Sequence, residues 1–167
     1  MEKNDKLLPF ILTLGVVLAD QLTKWLITVF IPAGGIGASF MGGFLRIIHA
    51  RNTAIAFSIG TDMSQMLKVI FFSAVPLVVL AVIAIYLLKT DSLTPLQRWS
   101  ACGILGGGIG NLIDRFFRPL GVVDFLDVKF YGLFGLDRWP TFNVADAAIV
   151  VCGFLLVISF FNSKKIS

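Results

Sequence analysis

The sequence predicts a mainly α-helical membrane protein with four transmembrane helices, a small β-sheet and a segment lying at the membrane surface. Three features point there. Of 167 residues, 57% are hydrophobic and 14% charged, and the mean hydropathy is +0.89, which leaves too little polar surface for an ordinary soluble domain. Four apolar stretches, residues 7–30, 68–88, 99–117 and 143–161, are each close to the roughly 20 residues a helix needs to cross a bilayer core. The two long inserts, residues 31–67 and 118–142, are rich in glycine, β-branched and aromatic residues rather than in the charges of a solvated linker. One integral-membrane domain over residues 1–167 uses the whole length.

The first stretch follows the charged segment MEKNDK and carries Asp20 and Lys24, with no A-x-A-like cleavage site, so it reads as a retained span. All four stretches are helices, because an isolated strand cannot satisfy its backbone in hydrocarbon. The insert IPAGGIGASFMGGFLRIIHARNTAIAFSIGTDMSQ begins with glycines and then alternates in places with β-prone residues, the pattern of a small sheet. The third stretch holds Gly106, Gly107, Gly108 and Gly110, which allow close helix approach. The insert RPLGVVDFLDVKFYGLFGLDRWPTF is too aromatic for a plain loop and is expected on the membrane surface. Trp25, Trp99 and Trp139 suit membrane-edge anchors.

Four spans put both termini on one side, whose flanks carry Lys3, Lys6, Lys89, Arg98, Lys164 and Lys165, the positive bias of a cytoplasmic face. The other side has Arg46, Arg51, Lys68, Arg115, Arg118, Lys129 and Arg138, so a raw count does not orient the chain. The net charge of +4 is scattered and flanks apolar runs, which suits lipid head groups and argues against nucleic acid. Cys102 and Cys152 lie in apolar stretches without a C-x-x-C pattern and read as packing residues.

Polar residues within spans cost roughly 2.5 to 3.5 kcal/mol each on insertion scales, so their placement needs a reason. Asp20 and Lys24 stand four residues apart, on one helix face, as either a structural ion pair or part of a site. Asn111 and Asp114 are one turn apart, beside Arg115, and can join one inward network. Asn143 and Asp146, after Pro140 and Thr141, have the spacing of a capping box at the start of the fourth span. That accounts for Asp146 without a site, since the amides of a helix start favour a carboxylate. Asp124 is harder to explain so, flanked by Val122, Val123, Phe125 and Leu126. In a strand it shares a face with Leu126, leaving Asp127 on the other as the solvated charge. Two carboxylates in one partly dry site share a proton. Such a pair hydrolyses a peptide bond when one activates water and the other hydrogen-bonds the scissile carbonyl.

Five stretches, DQLTKW (20–25), RNTAIAFS (51–58), LGGGIGNLIDR (105–115), VVDF (122–125) and FNVADAAI (142–149), run through nearly the whole chain. In order and spacing the chain resembles the bacterial lipoprotein signal peptidases, the type II signal peptidases. The resemblance implies Asp124 and Asp146 as the catalytic pair. It implies support from Asp20, Asn52, Asn111, Arg115 and Asn143, with Lys24 and Asp114 as further motif positions. It also implies a periplasmic β-sheet cradle, a half-helix that clamps the substrate over the membrane, and no cofactor or metal. The implied substrates are precursors with a diacylglyceryl-modified cysteine, cut just before that cysteine by a monomer in the bacterial inner membrane among its lipids. Both termini are then cytoplasmic and the active site lies toward the periplasm. Arg115 then pairs with Asp114 or holds substrate polar groups, and Arg46, Arg51 and Arg138 meet lipid head groups. Ala54 departs from the family, which has glycine there, and its methyl group reshapes the loop if positive φ is needed.

Three rival readings fit less well. A small ion or proton-coupled transporter would use Asp20, Lys24, Asp114 and Arg115 as a relay near mid-span, whereas Asp124 and Asp146 sit outside or at the start of a span. A metal-dependent lipid head-group transferase would need Asp114, Asp124, Asp127 and Asp146 around Mg²⁺, and they form no closely spaced quartet on one helix. A Ser-Lys protease would use Ser58 with Lys68 or Lys24, without spacing that activates the serine. His49 reads as an interfacial residue beside Arg51.

Overall fold

The structure, a computed structural model, describes residues 6–52, 67 and 70–163. Its elements run α1 (Phe10–Phe30), β1 (Ile36–Phe40), β2 (Leu45–Asn52), a π-helical turn (Ile70–Ala74) leading into α2 (Val75–Lys89), α3 (Pro95–Phe117), β3 (Val122–Val128) and α4 (Val144–Ser163). Single 3₁₀ turns at Met41–Gly43 and Leu133–Gly135 are the only helical pieces of residues 31–52 and 118–142. Lys3, Ala54, Ser58, Lys68, Lys164 and Lys165 lie outside the described residues.

Among the described residues, three helices are long and apolar enough to cross a membrane: Phe10–Phe30, Ile70–Lys89 and Val144–Phe161. α3 has 23 residues but is far less apolar than α2 or α4, because it carries Gln97, Arg98, Asn111, Asp114, Arg115 and its glycines. Those residues are buried among the other helices or line a cavity, so the helix's polarity faces protein rather than lipid. Its N-terminus is closed by a capping box, Thr94 accepting from the Gln97 amide and Gln97 Oε1 accepting from the Thr94 amide, with Pro95 behind the cap. It therefore begins four residues before the apolar stretch.

Successive glycines of α3 address three neighbours, since each residue turns the helix by about 100°. A side chain on Gly106 would strike Thr13 and Val16 of α1, one on Gly107 would strike the Ala145 carbonyl and Ile149 of α4, and one on Gly108 would strike Leu80 of α2. α3 is thus the central post against which the other helices pack. At the Pro95 end, Arg98 is not a flanking loop charge but is 2% exposed. Its guanidinium donates to the carbonyls of Leu87 and Thr90, capping the last turn of α2.

The sheet is antiparallel in the order β1-β2-β3, and its third strand comes from the second insert. Residues 122–128, part of the insert expected on the membrane surface, form a strand because β2 offers them an edge. Phe142 bridges to Leu126 beyond β3. A bulge in β2 between Ile47 and Ala50 bends the strand so that Asn52, opposite Val122, reaches the diagonal neighbour Asp124. His49, in the bulge, is buried rather than interfacial, its Nδ1 at 2.7 Å from the Ile31 carbonyl.

Candidate active site

The acidic pair is brought together. Asp124 projects from β3 and Asp146 from the first turn of α4, and both line a cavity of about 240 Å³ with Asn52, Phe72, Asn111, Arg115 and Val122. Asn143 joins them: its Nδ2 donates to Asp124 Oδ1 at 2.7 Å and its backbone N–H to Asp146 Oδ2 at 3.2 Å. Asn52 donates to Asp124 Oδ2 at 3.0 Å and Asn111 to Asp146 Oδ1 at 2.7 Å. The Asp146 N–H donates back to Asn143 Oδ1 at 2.9 Å, so the capping box and the shared cavity are the same structure.

Behind this pair stands a buried ionic layer. The Lys24 ammonium meets Asp20 at 2.8 Å, Asp114 at 3.1 Å and Asn111 Oδ1 at 2.9 Å, one partner for each proton. All three charged side chains are 0% exposed. An ammonium can only donate, so Asn111 must turn Oδ1 toward it and Nδ2 toward Asp146. Asn143 Nδ2 also donates to Asn111 Oδ1, at 3.0 Å, which leaves Asn143 Oδ1 for the Asp146 amide. Asp20 receives the Ala145 N–H at 3.0 Å and Asp114 that of Val123 at 3.1 Å, tying α1 to the start of α4 and α3 to β3.

Two members of this layer are absent from the sequence reading of the site. Gln21 donates to Asp20, Asp114 and the Gly110 carbonyl, and nothing but its place beside Asp20 marks it. Arg118 pairs with Asp114 at 3.0 Å, a partnership its i+4 spacing announces. Arg118 therefore takes the role expected of Arg115. Arg115 lines the cavity instead and donates from Nη1 to the Phe72 carbonyl at 2.8 Å.

Asp127 corrects a second expectation. It is 3% exposed, held by Arg46, opposite it on β2, and by Arg138 from the following loop. Arg138 also donates to the Gly43 carbonyl. Arg46 and Arg138 thus meet a carboxylate, because the loop after β3 folds back and brings Arg138 to the side chain that β2 already faces with Arg46. Burial pushes the Asp127 carboxyl up, but the hydrogen bonds and charges of Arg138 and Arg46 outweigh it and hold it below the usual range. Asp127→Asn removes a charged acceptor from two arginines and should lower stability by about 2 kcal/mol, read as a drop in melting midpoint. Cleavage should persist in this variant, since Asp127 faces away from the cavity.

Asp124 moves the other way. Burial is the main cause, Asn52 and Asn143 oppose it by hydrogen bonding, the Asp146 charge adds to it, and the carboxyl is pushed up to about 6. The unfolded chain then ionises Asp124 before the folded one does, so stability is lost as pH rises from about 4 to 6 and stays level above. By that shift the loss is on the order of 3 kcal/mol. Melts of wild type and Asp124→Asn across pH should converge or diverge only within this window; parallel curves would contradict it.

A buried ionic layer inside a helical bundle, with two carboxyl groups and three amides around a cavity at the span ends, defines a polytopic membrane enzyme. Two solved structures, each described as a bacterial membrane enzyme, share the fold. One has a TM-score of 0.76 and 28% identity over 91% of both chains, the other 0.77 and 27% over 93% of this chain and 88% of that one. The model of the signal peptidase (SPase) II family matches residues 12–162. The chain is 47% identical over 163 residues to a lipoprotein signal peptidase of Treponema pallidum, covering 98% of this chain and 88% of that protein. It is 49% identical over 157 residues to the lipoprotein signal peptidase of Borreliella afzelii, covering 93% and 91%. The chain belongs to the signal peptidase II family and is a membrane-embedded peptidase.

Proposed function

We propose that the protein is an aspartic endopeptidase that removes the signal peptide from diacylglyceryl-modified prolipoproteins just before the lipidated cysteine. The observation that carries this reading is the single cavity shared by Asp124 and Asp146, with Asn143 bonded to both. The pair shares one proton. One carboxylate takes a proton from water as it attacks the scissile carbonyl, the other hydrogen-bonds the carbonyl oxygen, and the leaving amine is protonated as the bond breaks. Asn52, Asn111 and Asn143 hold the two carboxyl groups in register, and Asp20, Lys24 and Asp114 brace those amides from behind. Arg115, with a donor group facing the cavity, binds polar atoms of the substrate.

The same reading makes α3 a fourth span, so that the chain is one domain with both termini cytoplasmic in the bacterial inner membrane. Its sheet then lies on the periplasmic side. The exposed Met41, Tyr131, Leu133 and Phe134 at the sheet's tip, next to Lys129 over Tyr131, suit contact with the lipid boundary. A lipidated precursor partitions into the bilayer beside the enzyme, so its acyl chains supply binding energy while only the peptide near the cysteine must reach the carboxylates.

The test is cleavage by purified protein in detergent of a precursor with and without its diacylglyceryl group, in the presence of a chelator. The lipidated form should be cut at least about tenfold faster, with the chelator making no difference. Equal cleavage of the two forms, or loss of activity in chelator, would sink the reading.

A further inference from the structure

The π turn of residues 70–74 passes without a break into α2, so that Ile70–Lys89 is one helical run. Pro76 lies inside that run, more than a turn from its start, where a proline opposes the helix. A single π turn is a common way for a helix to absorb such an irregularity. In a regular α-helix the carbonyl of residue 72 accepts from the amide of residue 76. Proline has no N–H, and its ring crowds that carbonyl, so Phe72 C=O is turned loose from its own helix.

Arg115 reaches the freed carbonyl from α3, donating from Nη1 at 2.8 Å, and a carbonyl away from water needs such a donor. The bond also anchors the arginine. Arg46, Arg138 and Arg118 are each clamped by a carboxylate. Arg115, among the described residues, makes no hydrogen bond but this one, and its buried Nε–H has no partner. Yet two carboxylates, those of Asp124 and Asp146, line the same cavity. A guanidinium free to move would fold onto them as a two-pronged ion pair, since carboxylates are its best acceptors. That pairing would occupy the oxygens that must take a proton from water and hydrogen-bond the scissile carbonyl. A neutral carbonyl holds the cation beside them without neutralising them.

We infer that Pro76 is a positioning residue for the active site: by freeing the Phe72 carbonyl it holds Arg115 at the cavity wall, open to substrate and off Asp124 and Asp146. The inference rests on the reading of Arg115 as a substrate-binding group and adds what keeps that group in place. It also accounts for a helix breaker inside a span. A helix former at position 76 would complete the α turn and aim the Phe72 carbonyl along the helix axis at the new amide, out of line with α3. The chain keeps the less stable helix and gains an acceptor aimed sideways at its neighbour.

Pro76→Ala in the full chain is the test. Its melting midpoint should be at or above that of wild type, because alanine favours a helix where proline opposes it. Its kcat/KM for a lipidated precursor should nevertheless fall at least about tenfold, the cost of a displaced binding group. A merely structural proline would not move stability and activity in opposite directions. The same change is then made in Arg115→Gln, itself expected at least about tenfold below wild type. There Pro76→Ala should cost no more than about twofold further, because the group it positions is gone. No loss in the wild-type background, or an equal further loss in the Arg115→Gln background, overturns the inference. If Pro76→Ala does not fold, Val75→Pro combined with Pro76→Ala decides. It keeps a proline in the turn but frees the Phe71 carbonyl, which points about 100° away. Its kcat/KM should fall at least about tenfold, and near-wild-type cleavage overturns the inference. Wild-type cleavage by Arg115→Gln would remove the reading of Arg115 and the inference with it, whereas an impaired Arg115→Gln beside an unimpaired Pro76→Ala overturns the inference alone.

Discussion

Asp124→Asn should abolish cleavage of a lipidated precursor while leaving the protein folded and inserted, and Asp146→Asn should do the same. An amide can neither take a proton from water nor share one with its neighbour, so the loss is that of a general acid–base group, about 10²- to 10⁴-fold. It falls toward the larger figure because the two groups work as one unit and neither replaces the other. The asparagine fills the same volume, and its oxygen can still accept from Asn143 or Asn52, which now hold Asp124 at 2.7 and 3.0 Å. Fold and function are thereby separated. Single-turnover cleavage with a melting midpoint no lower than that of wild type is the measurement, and turnover within about tenfold of wild type by either variant would end the mechanism.

The second large effect is expected at Lys24. Lys24→Met keeps the length of the side chain but leaves Asp20 and Asp114 facing each other, both fully buried. Removing one partner from a buried ion pair costs about 3 to 5 kcal/mol, a large part of the roughly 5 to 15 kcal/mol that holds a typical domain together. The yield of folded protein and its melting midpoint should both fall steeply. Adding Asp20→Asn should restore at least half of the loss, because Asp114 keeps Arg118 at 3.0 Å while the uncompensated charge at position 20 is gone. If the double variant is no better than Lys24→Met, packing rather than charge is the function of the ammonium. Activity per folded molecule should stay low even in the double variant, since without the ammonium only Asn143 is left to hold Asn111 Oδ1 and so turn the Asn111 N–H toward Asp146.

Much of this was legible in one dimension. The apolar stretches marked the helices to within a few residues, because hydrophobic length and periodicity are local properties. The Asn143–Asp146 spacing announced a cap, and the Asp20–Lys24 spacing an ion pair, since a helix brings i+3 and i+4 together whatever surrounds it. The polar residues of α3 stood out because burying them is expensive without partners.

Where spacing left a charge's partner open, packing chose it. Asp127 was expected in water because strand alternation turns it away from Asp124. It does turn away, but the loop returning from residue 129 to 138 covers that face and brings Arg138 to it. Arg115 and Arg118 both lie within reach of Asp114 by spacing, and the packing of α3 against Phe72 and β3 assigns Arg118 to it and Arg115 to the cavity. The sheet's third strand and the meeting of Asp124 with Asp146 likewise join segments far apart in the chain. The helices, the cap and the kinds of chemistry they carry can be read along the chain, because they follow from backbone geometry and the cost of leaving water. Pairing across elements is a property of three-dimensional packing, and no spacing along the chain encodes it.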